Sequence, residues 1–270
     1  MLVVNKPAGV SVTKDRTGAA ELKDILAKQL GPETIAALRL VHQLDKETSG
    51  VLVLAKTKET QSTLSACFAK TLVKKTYLAF VSAKVTEPQG VIDAPLAEHP
   101  HVPGLMYVPK KKGKKAVTKW NLLADFGPVA LLAVQPVTDR THQIRVHLRY
   151  ARMPLAIDPL YGSDKPLFLS SIKHGYRLGR EQTENPLIER LTLHAYQIEF
   201  NATCHPDRDK ESSVIAGEAK QSQGINCFIA PLDKKFAVTI KLLTRHNPKG
   251  PEAFIRVDDF DRITGAQRLC

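Results

Sequence analysis

The sequence predicts an α+β protein built on a mixed, mostly antiparallel sheet, and two observations carry that prediction. Runs of strand character outnumber helical ones and do not alternate regularly with them, which argues against a doubly wound fold. The neighbouring runs KAVTKWNLLADF and VALLAVQPV are joined by the Gly127-Pro128 turn, as in an antiparallel pair. With 270 residues and 43% hydrophobic content, the chain can bury an ordinary core as one large domain or two small ones.

Taken in order, LVVNKPAGVSV reads as a strand ending in a Pro-Ala-Gly turn. Residues 19–31 place Leu22, Ile25, Leu26 and Leu30 at helical spacing, with Gly31 suited to the C-cap. The polar cluster around Asp45 leads into GVLVLAK, a small and β-branched run expected to be a buried strand. A helix is predicted over 58–72 with Thr57 as N-cap, then a strand over 74–83. After the antiparallel pair come a helix over 141–151, a strand over 191–200 and a final helix in KKFAVTIKLLTRH. Residues 202–228 are polar and without periodicity, and are expected to form an inserted, disordered surface loop. Residues 247–270 mix charge with Pro and Gly and are expected to be weakly ordered, leaving 1–246 as a single catalytic domain.

Charge is the most informative bulk property. The net charge of +12 favours a polyanionic partner, because neutralising phosphates releases condensed counterions. Much of the excess lies in PKKKGKK, with Lys110, Lys111, Lys112, Lys114 and Lys115, and in Arg140, Arg145, Arg149 and Arg152. Either run alone reads as a solvated face, and the two with the global excess read as nucleic-acid binding. No apolar run reaches the roughly 20 residues of a membrane span, and no secretion signal is recognisable, so a cytoplasmic location is expected. Cys67, Cys204, Cys227 and Cys270 are scattered, indicating neither disulfides nor a structural metal. Gly-x-Ser-x-Gly, GxxxxGK[ST] and GxGxxG are absent, which disfavours a cofactor enzyme or a nucleotidase.

Three segments carry a family resemblance. HQLDKETSGVLVLAK at 42–56, KKTYLAF at 74–80 and TDRTHQIRVHL at 138–148 resemble the three core motifs of the RluA-type pseudouridine synthases. NKPAGVSV, PLAIDPLYG at 154–162 and LTLHA at 191–195 are also similar to that family, in the same order. The resemblance implies the pseudouridine synthase architecture, with helices flanking a long sheet and an RNA cleft across its middle. It also implies an enzyme that converts uridine in ribosomal or transfer RNA to its C-glycoside isomer without cofactor or metal. By motif position, Asp45 is the nucleophile, Tyr77 packs on the target base and Arg145 pairs with Asp45, the three converging in the cleft. Gln43, His42, Thr48, Arg140, His142 and Gln143 are the further substrate-binding candidates, and Lys110, Lys111, Lys112, Lys114, Lys115 and Arg149 the candidate phosphate contacts. Two positions depart from the family pattern. Gln43 stands where the family has an Arg that enters the RNA stack, and Asp139 replaces the Gly of T-G-R-T.

Chemistry agrees with these assignments. Detaching uracil and rejoining it through C5 needs a nucleophile for ribose C1′ or uracil C6, and a carboxylate attacks as an anion and leaves again readily. A guanidinium keeps that carboxylate ionised where water is excluded. An aromatic face holds the freed base while it turns. The uridine must be flipped out or already unstacked. His42, His142 and His147 are expected to fix loops or close the sheet, and Thr48, Ser49 and Gly50 to shape the turn that aims Asp45. A monomer with RNA as partner and no membrane contact is expected; the rival reading is an RNA-binding protein or RNA chaperone on a synthase core without catalysis.

Overall fold

The computed structural model describes residues 1–13, 21–173, 176, 183–201, 204, 213–215, 218–222 and 225–247. These fold as two compact units, one formed by Met1–Tyr77 with His194–Pro231, the other by Leu78–Leu193 with the described residues from Leu232 onward.

The first unit starts with the apolar run that forms β1 (Leu2–Lys6). Helix α1 (Leu22–Leu30) buries Leu22 and Leu26 and stops at Gly31, whose φ of 82° suits glycine. A short helix α2 (Pro32–Ala37) follows with Pro at its first position, a start signal the sequence reading passed over. Then come β2 (Arg39–Leu40) and β3 (Ser49–Ala55), and every residue of β3 is buried, as its unbroken apolar run predicts. Helix α3 (Lys58–Ala69) is capped by Thr57, whose hydroxyl accepts from the Thr60 N–H at 3.2 Å. It ends a turn earlier than expected, because Thr71 adopts a φ of 55°. Strand β4 (Val73–Val81) carries the chain into the second unit past Tyr77.

In the second unit, β5 (Gln89–Asp93) leads to a small hairpin of β6 (Ala97–Glu98) and β7 (Met106–Tyr107). The predicted antiparallel pair is β8 (Val117–Asp125) and β9 (Ala130–Pro136), with a bulge between Leu122 and Ala124; β5 pairs antiparallel on the other side of β8. Helix α4 (Gln143–Tyr150) has six consecutive buried residues, Gln143 to Leu148, so one polar, charged helix is largely internal.

The chain returns to the first unit through β10 (Leu193–Asn201), followed by β11 (Ser213–Ile215), β12 (Glu218–Ser222) and β13 (Ile225–Ile229). Within the stretch expected to be an inserted loop, the described residues are thus strands: β13 pairs antiparallel with β10 and β12, and β11 parallel with β1. EAKQS and SVI lack alternation of apolar and polar residues, so their pairing rests on backbone hydrogen bonds that leave no pattern to read. Strand β1 pairs antiparallel with β3, β2 also pairs with β3, and β3 runs parallel to β10 at Gly50 and Ala195. Gly50 is needed there, since its φ is 114° and a Cβ would collide with the Ala195 backbone.

Helix α5 (Lys234–His246) returns to the second unit, capped by Asp233, whose carboxylate accepts from the Phe236 N–H at 3.0 Å. Phe236 stacks on Phe80 with ring centres 4.8 Å apart. Asn247 donates to the Asp125 carbonyl at 2.8 Å; the rest of the tail expected to be weakly ordered, 248–270, lies outside the described residues. One feature corrects the sequence reading: Cys67 and Cys204 form a disulfide, with Cα atoms 5.9 Å apart. They are 137 residues apart, and pairing over such a separation depends on tertiary proximity, which spacing does not encode.

Candidate active site

Asp45 sits half-buried in the connection between β2 and β3. The turn is closed locally, the Thr48 N–H donating to the Asp45 carbonyl at 3.1 Å, with the Thr48 side chain itself buried. Two flanking groups fix it further. His42 is buried and accepts the Val53 N–H through Nε2 at 2.9 Å while stacking on Phe68 at 4.8 Å. An imidazole that accepts at Nε2 is neutral with its proton on Nδ1, so this histidine ties the loop to β3. Lys6 is fully buried at 0% exposure, and its ammonium donates to the carbonyls of Pro7 at 3.0 Å, Val10 at 2.8 Å and Lys46 at 2.8 Å. A buried charge needs such a cage of acceptors. Here one of them belongs to the residue immediately after Asp45, and the Gly9 N–H donates to the same carbonyl at 3.0 Å. Gln43 is exposed.

The base of β3 is locked to β10 by side chains as well as by strand pairing. Ser49 Oγ lies 2.8 Å from His194 Nδ1, and His194 Nε2 lies 3.2 Å from the Ala230 carbonyl. A carbonyl only accepts, so Nε2 carries the proton and the Ser49 hydroxyl donates to Nδ1. Tyr77, 8% exposed, ends the first unit's share of β4.

The second unit positions Arg145, which is 5% exposed on α4. Its guanidinium makes a bidentate pair with Asp158, Nε to Oδ2 at 2.9 Å and Nη2 to Oδ1 at 2.7 Å. Asp158 also accepts the N–H groups of Leu160 and Tyr161, and the Arg145 guanidinium lies over the Tyr161 ring at 5.0 Å. The Tyr161 hydroxyl accepts the Met106 N–H at 2.9 Å and lies 2.8 Å from His142 Nδ1. His142 takes the left-handed conformation, φ 52°, where the loop turns into α4. Gln143 is buried with its amide satisfied: Oε1 accepts from the Thr138 hydroxyl, and Nε2 donates to the Val117 carbonyl and the Thr118 hydroxyl. His147 continues this network between Thr118 and the Ala94 carbonyl, and burial holds its pKa below the usual range.

The predicted phosphate contacts Lys110, Lys111, Lys112, Lys114, Lys115 and Arg149 are all exposed, as is Arg140. Arg140 Nε donates to the Lys115 carbonyl at 3.2 Å, which ties the start of α4's loop to the lysine run. The structure therefore groups His42, Gln43, Asp45 and Thr48 in one loop, and Arg140, His142, Gln143, Arg145 and Arg149 along α4 and its lead-in. Lys6, Asp158, Tyr161 and His194 were given no role in the sequence reading, although each lies inside a segment quoted there. Among the described residues no group of three or more His, Cys, Asp or Glu side chains is placed to hold a metal, and no helix is long and apolar enough to cross a membrane.

Comparison with known proteins bears on this geometry. The family model described as RNA pseudouridylate synthase matches residues 1–150. A protein of Zymomonas mobilis named as an uncharacterized RNA pseudouridine synthase is 36% identical over 202 residues, 74% of this chain and 83% of that one. The ribosomal large subunit pseudouridine synthase C of Vibrio parahaemolyticus is 34% identical over 219 residues, 80% of this chain. The chain spans only 62% of that relative's length. Among solved structures, human RNA pseudouridylate synthase domain containing 1 has the same fold, with a TM-score of 0.59 at 20% identity over 97% of this chain and 90% of that one.

Proposed function

The chain belongs to the RNA pseudouridylate synthase family, and on that premise we propose that it isomerises uridine in an RNA to pseudouridine with Asp45 as nucleophile. The observation that carries the assignment is the framing of the Asp45 loop. A fully buried ammonium, a neutral buried imidazole and a closed turn all hold the backbone around one half-buried carboxylate. So much internal polar structure around a single loop serves to aim what the loop carries.

In this reading the N1–C1′ bond of uridine breaks, a C5–C1′ bond forms, C5 loses its hydrogen and N1 gains one. Nothing is oxidised or reduced, so the balance needs no cofactor. The Asp45 carboxylate serves as the transient partner of either C1′ or C6, leaving again when the ring has turned. Tyr77 supplies a flat face for the freed base. Arg145 is assigned as the counter-charge of the nucleophile on motif position, and its clamp by Asp158 supports this role by fixing the guanidinium plane. His42, Thr48 and Gln143 act by holding backbone, while exposed Gln43, Arg140 and the lysines of 110–115 meet RNA.

Ribosomal large-subunit RNA is the first substrate to test, because the Vibrio relative is named for it; transfer RNA is the second. The test is pseudouridine mapping on RNA from cells lacking the gene, complemented with wild type or Asp45→Asn. A site restored by wild type alone supports the proposal. Sites unchanged by deletion, with the protein expressed and bound to RNA, favour the RNA-binding reading.

A further inference from the structure

A cavity of about 380 Å³ opens between the β6–β7 hairpin, the C-terminal half of α4 and the turn carrying Leu160 and Tyr161. Its volume lies in the range of sites for small organic groups. The floor is apolar: Val146 and Tyr161 belong to a buried cluster on which Met106 and Val108 pack. The rim has a different character. Tyr107, Tyr150 and Leu160 are 36%, 60% and 51% exposed, and Arg149 stands beside them. Arg149 is already a candidate phosphate contact, whereas Tyr107, Tyr150 and Leu160 have been given no part in RNA binding or in the isomerisation.

Exposed aromatic faces around an apolar floor mark a binding surface. Two occupants fit apolar walls: a partner protein, including a second copy, and an unstacked base. Charge decides between them. Lys110 follows Val108, a wall residue, by two positions, so at most about 7 Å of chain separates the cavity from the exposed lysine run. A second copy would bring the same lysines and Arg149 against their own kind. A nucleotide instead offers a flat apolar ring for the tyrosines and a phosphate for the cations.

We propose that this cavity holds a second, unstacked base of the RNA, its ring against Tyr107 or Tyr150 and its phosphate on Arg149 and the start of the Lys110–Lys112 run. The proposal rests on the RNA-modifying reading above and adds to it a site for a base that does not react. The base would be selected by exposure rather than identity, since stacking accepts any ring. Such a site makes an RNA with two splayed bases, as in a hairpin loop, a better ligand than one with a single exposed uridine.

The test uses the full chain and a twelve-nucleotide oligouridylate carrying 5-iodouridine, crosslinked by light and located by peptide mass spectrometry. Crosslinks on the peptides of Tyr107 or Tyr150 are expected, in wild type and equally in Asp45→Asn, so that loss of isomerisation and loss of this site are read separately. Replacing both tyrosines with leucine keeps the apolar volume and removes the flat faces; affinity for oligouridylate should fall roughly tenfold, and affinity for an abasic chain of equal length should not change. Crosslinks confined to other peptides, or unaltered oligouridylate affinity in the double variant, overturn the proposal. So does concentration-dependent dimerisation in sedimentation that Tyr150→Ser abolishes, which assigns the face to self-association.

Discussion

The ammonium of Lys6 rests 2.8 Å from the carbonyl of Lys46, and through that contact the first strand holds the residue next to Asp45. Replacing Lys6 by methionine keeps the volume but removes the donor to the Pro7, Val10 and Lys46 carbonyls, leaving the last with the Gly9 N–H. The expected cost is about 3 kcal/mol in a urea titration, with a larger proportional loss of pseudouridine formation than of RNA affinity. A Lys6→Met protein with full activity and unaltered stability contradicts a positioning role.

Asp158 anchors Arg145 through two short hydrogen bonds in a site almost closed to solvent. Asp158→Ala removes one partner of a buried pair and should cost ~3–5 kcal/mol. Arg145→Lys keeps the charge but loses the planar fork, so activity should fall at least about a hundredfold while RNA binding changes little. Equal activity in Arg145→Lys and wild type rules out the assigned role.

Gly50 lies where β3 meets β10, and its φ of 114° and the nearby Ala195 backbone both exclude a side chain. Gly50→Ala should destabilise the protein by at least about 3 kcal/mol, read from the midpoint of thermal or urea unfolding.

His147 sets a pH dependence. Burial, opposed by the bond to Ala94 and by Asp93, lowers its pKa below the ordinary 6.5. The unfolded chain therefore binds a proton that the folded chain refuses, so stability is present above the unfolded pKa and is lost as pH falls through it. Urea midpoints of wild type should drop between about pH 7 and pH 5 more steeply than those of His147→Gln. Parallel curves contradict the account.

Much of this was legible in the sequence for physical reasons that differ by element. The unbroken apolar run of β3, the heptad-like spacing of α5 and the Thr57 cap are local signals, and each element formed where its signal lay. α2 and the β6–β7 hairpin were passed over because they are short, and β11 and β12 because their pairing is written in backbone hydrogen bonds. The candidate nucleophile was visible through its motif, whereas Lys6 was hidden: a lysine at the end of an apolar strand reads as exposed until its three acceptors, one of them forty residues away, are in place. Asp158 was obscured likewise, since an Asp before a Pro reads as a turn former, and its pairing with Arg145 is a tertiary fact.

The claim that Asp45 is the nucleophile of a uridine isomerase is tested most directly by counting the hydrogen that C5 must lose. RNA from cells lacking the gene, grown on 5-tritiated uridine, is incubated with purified wild type or Asp45→Asn, and tritium released to water is measured alongside RNA affinity. The account predicts release by wild type and none by Asp45→Asn at equal RNA affinity. Release at the same rate by both proteins, or by neither while both bind RNA, contradicts it.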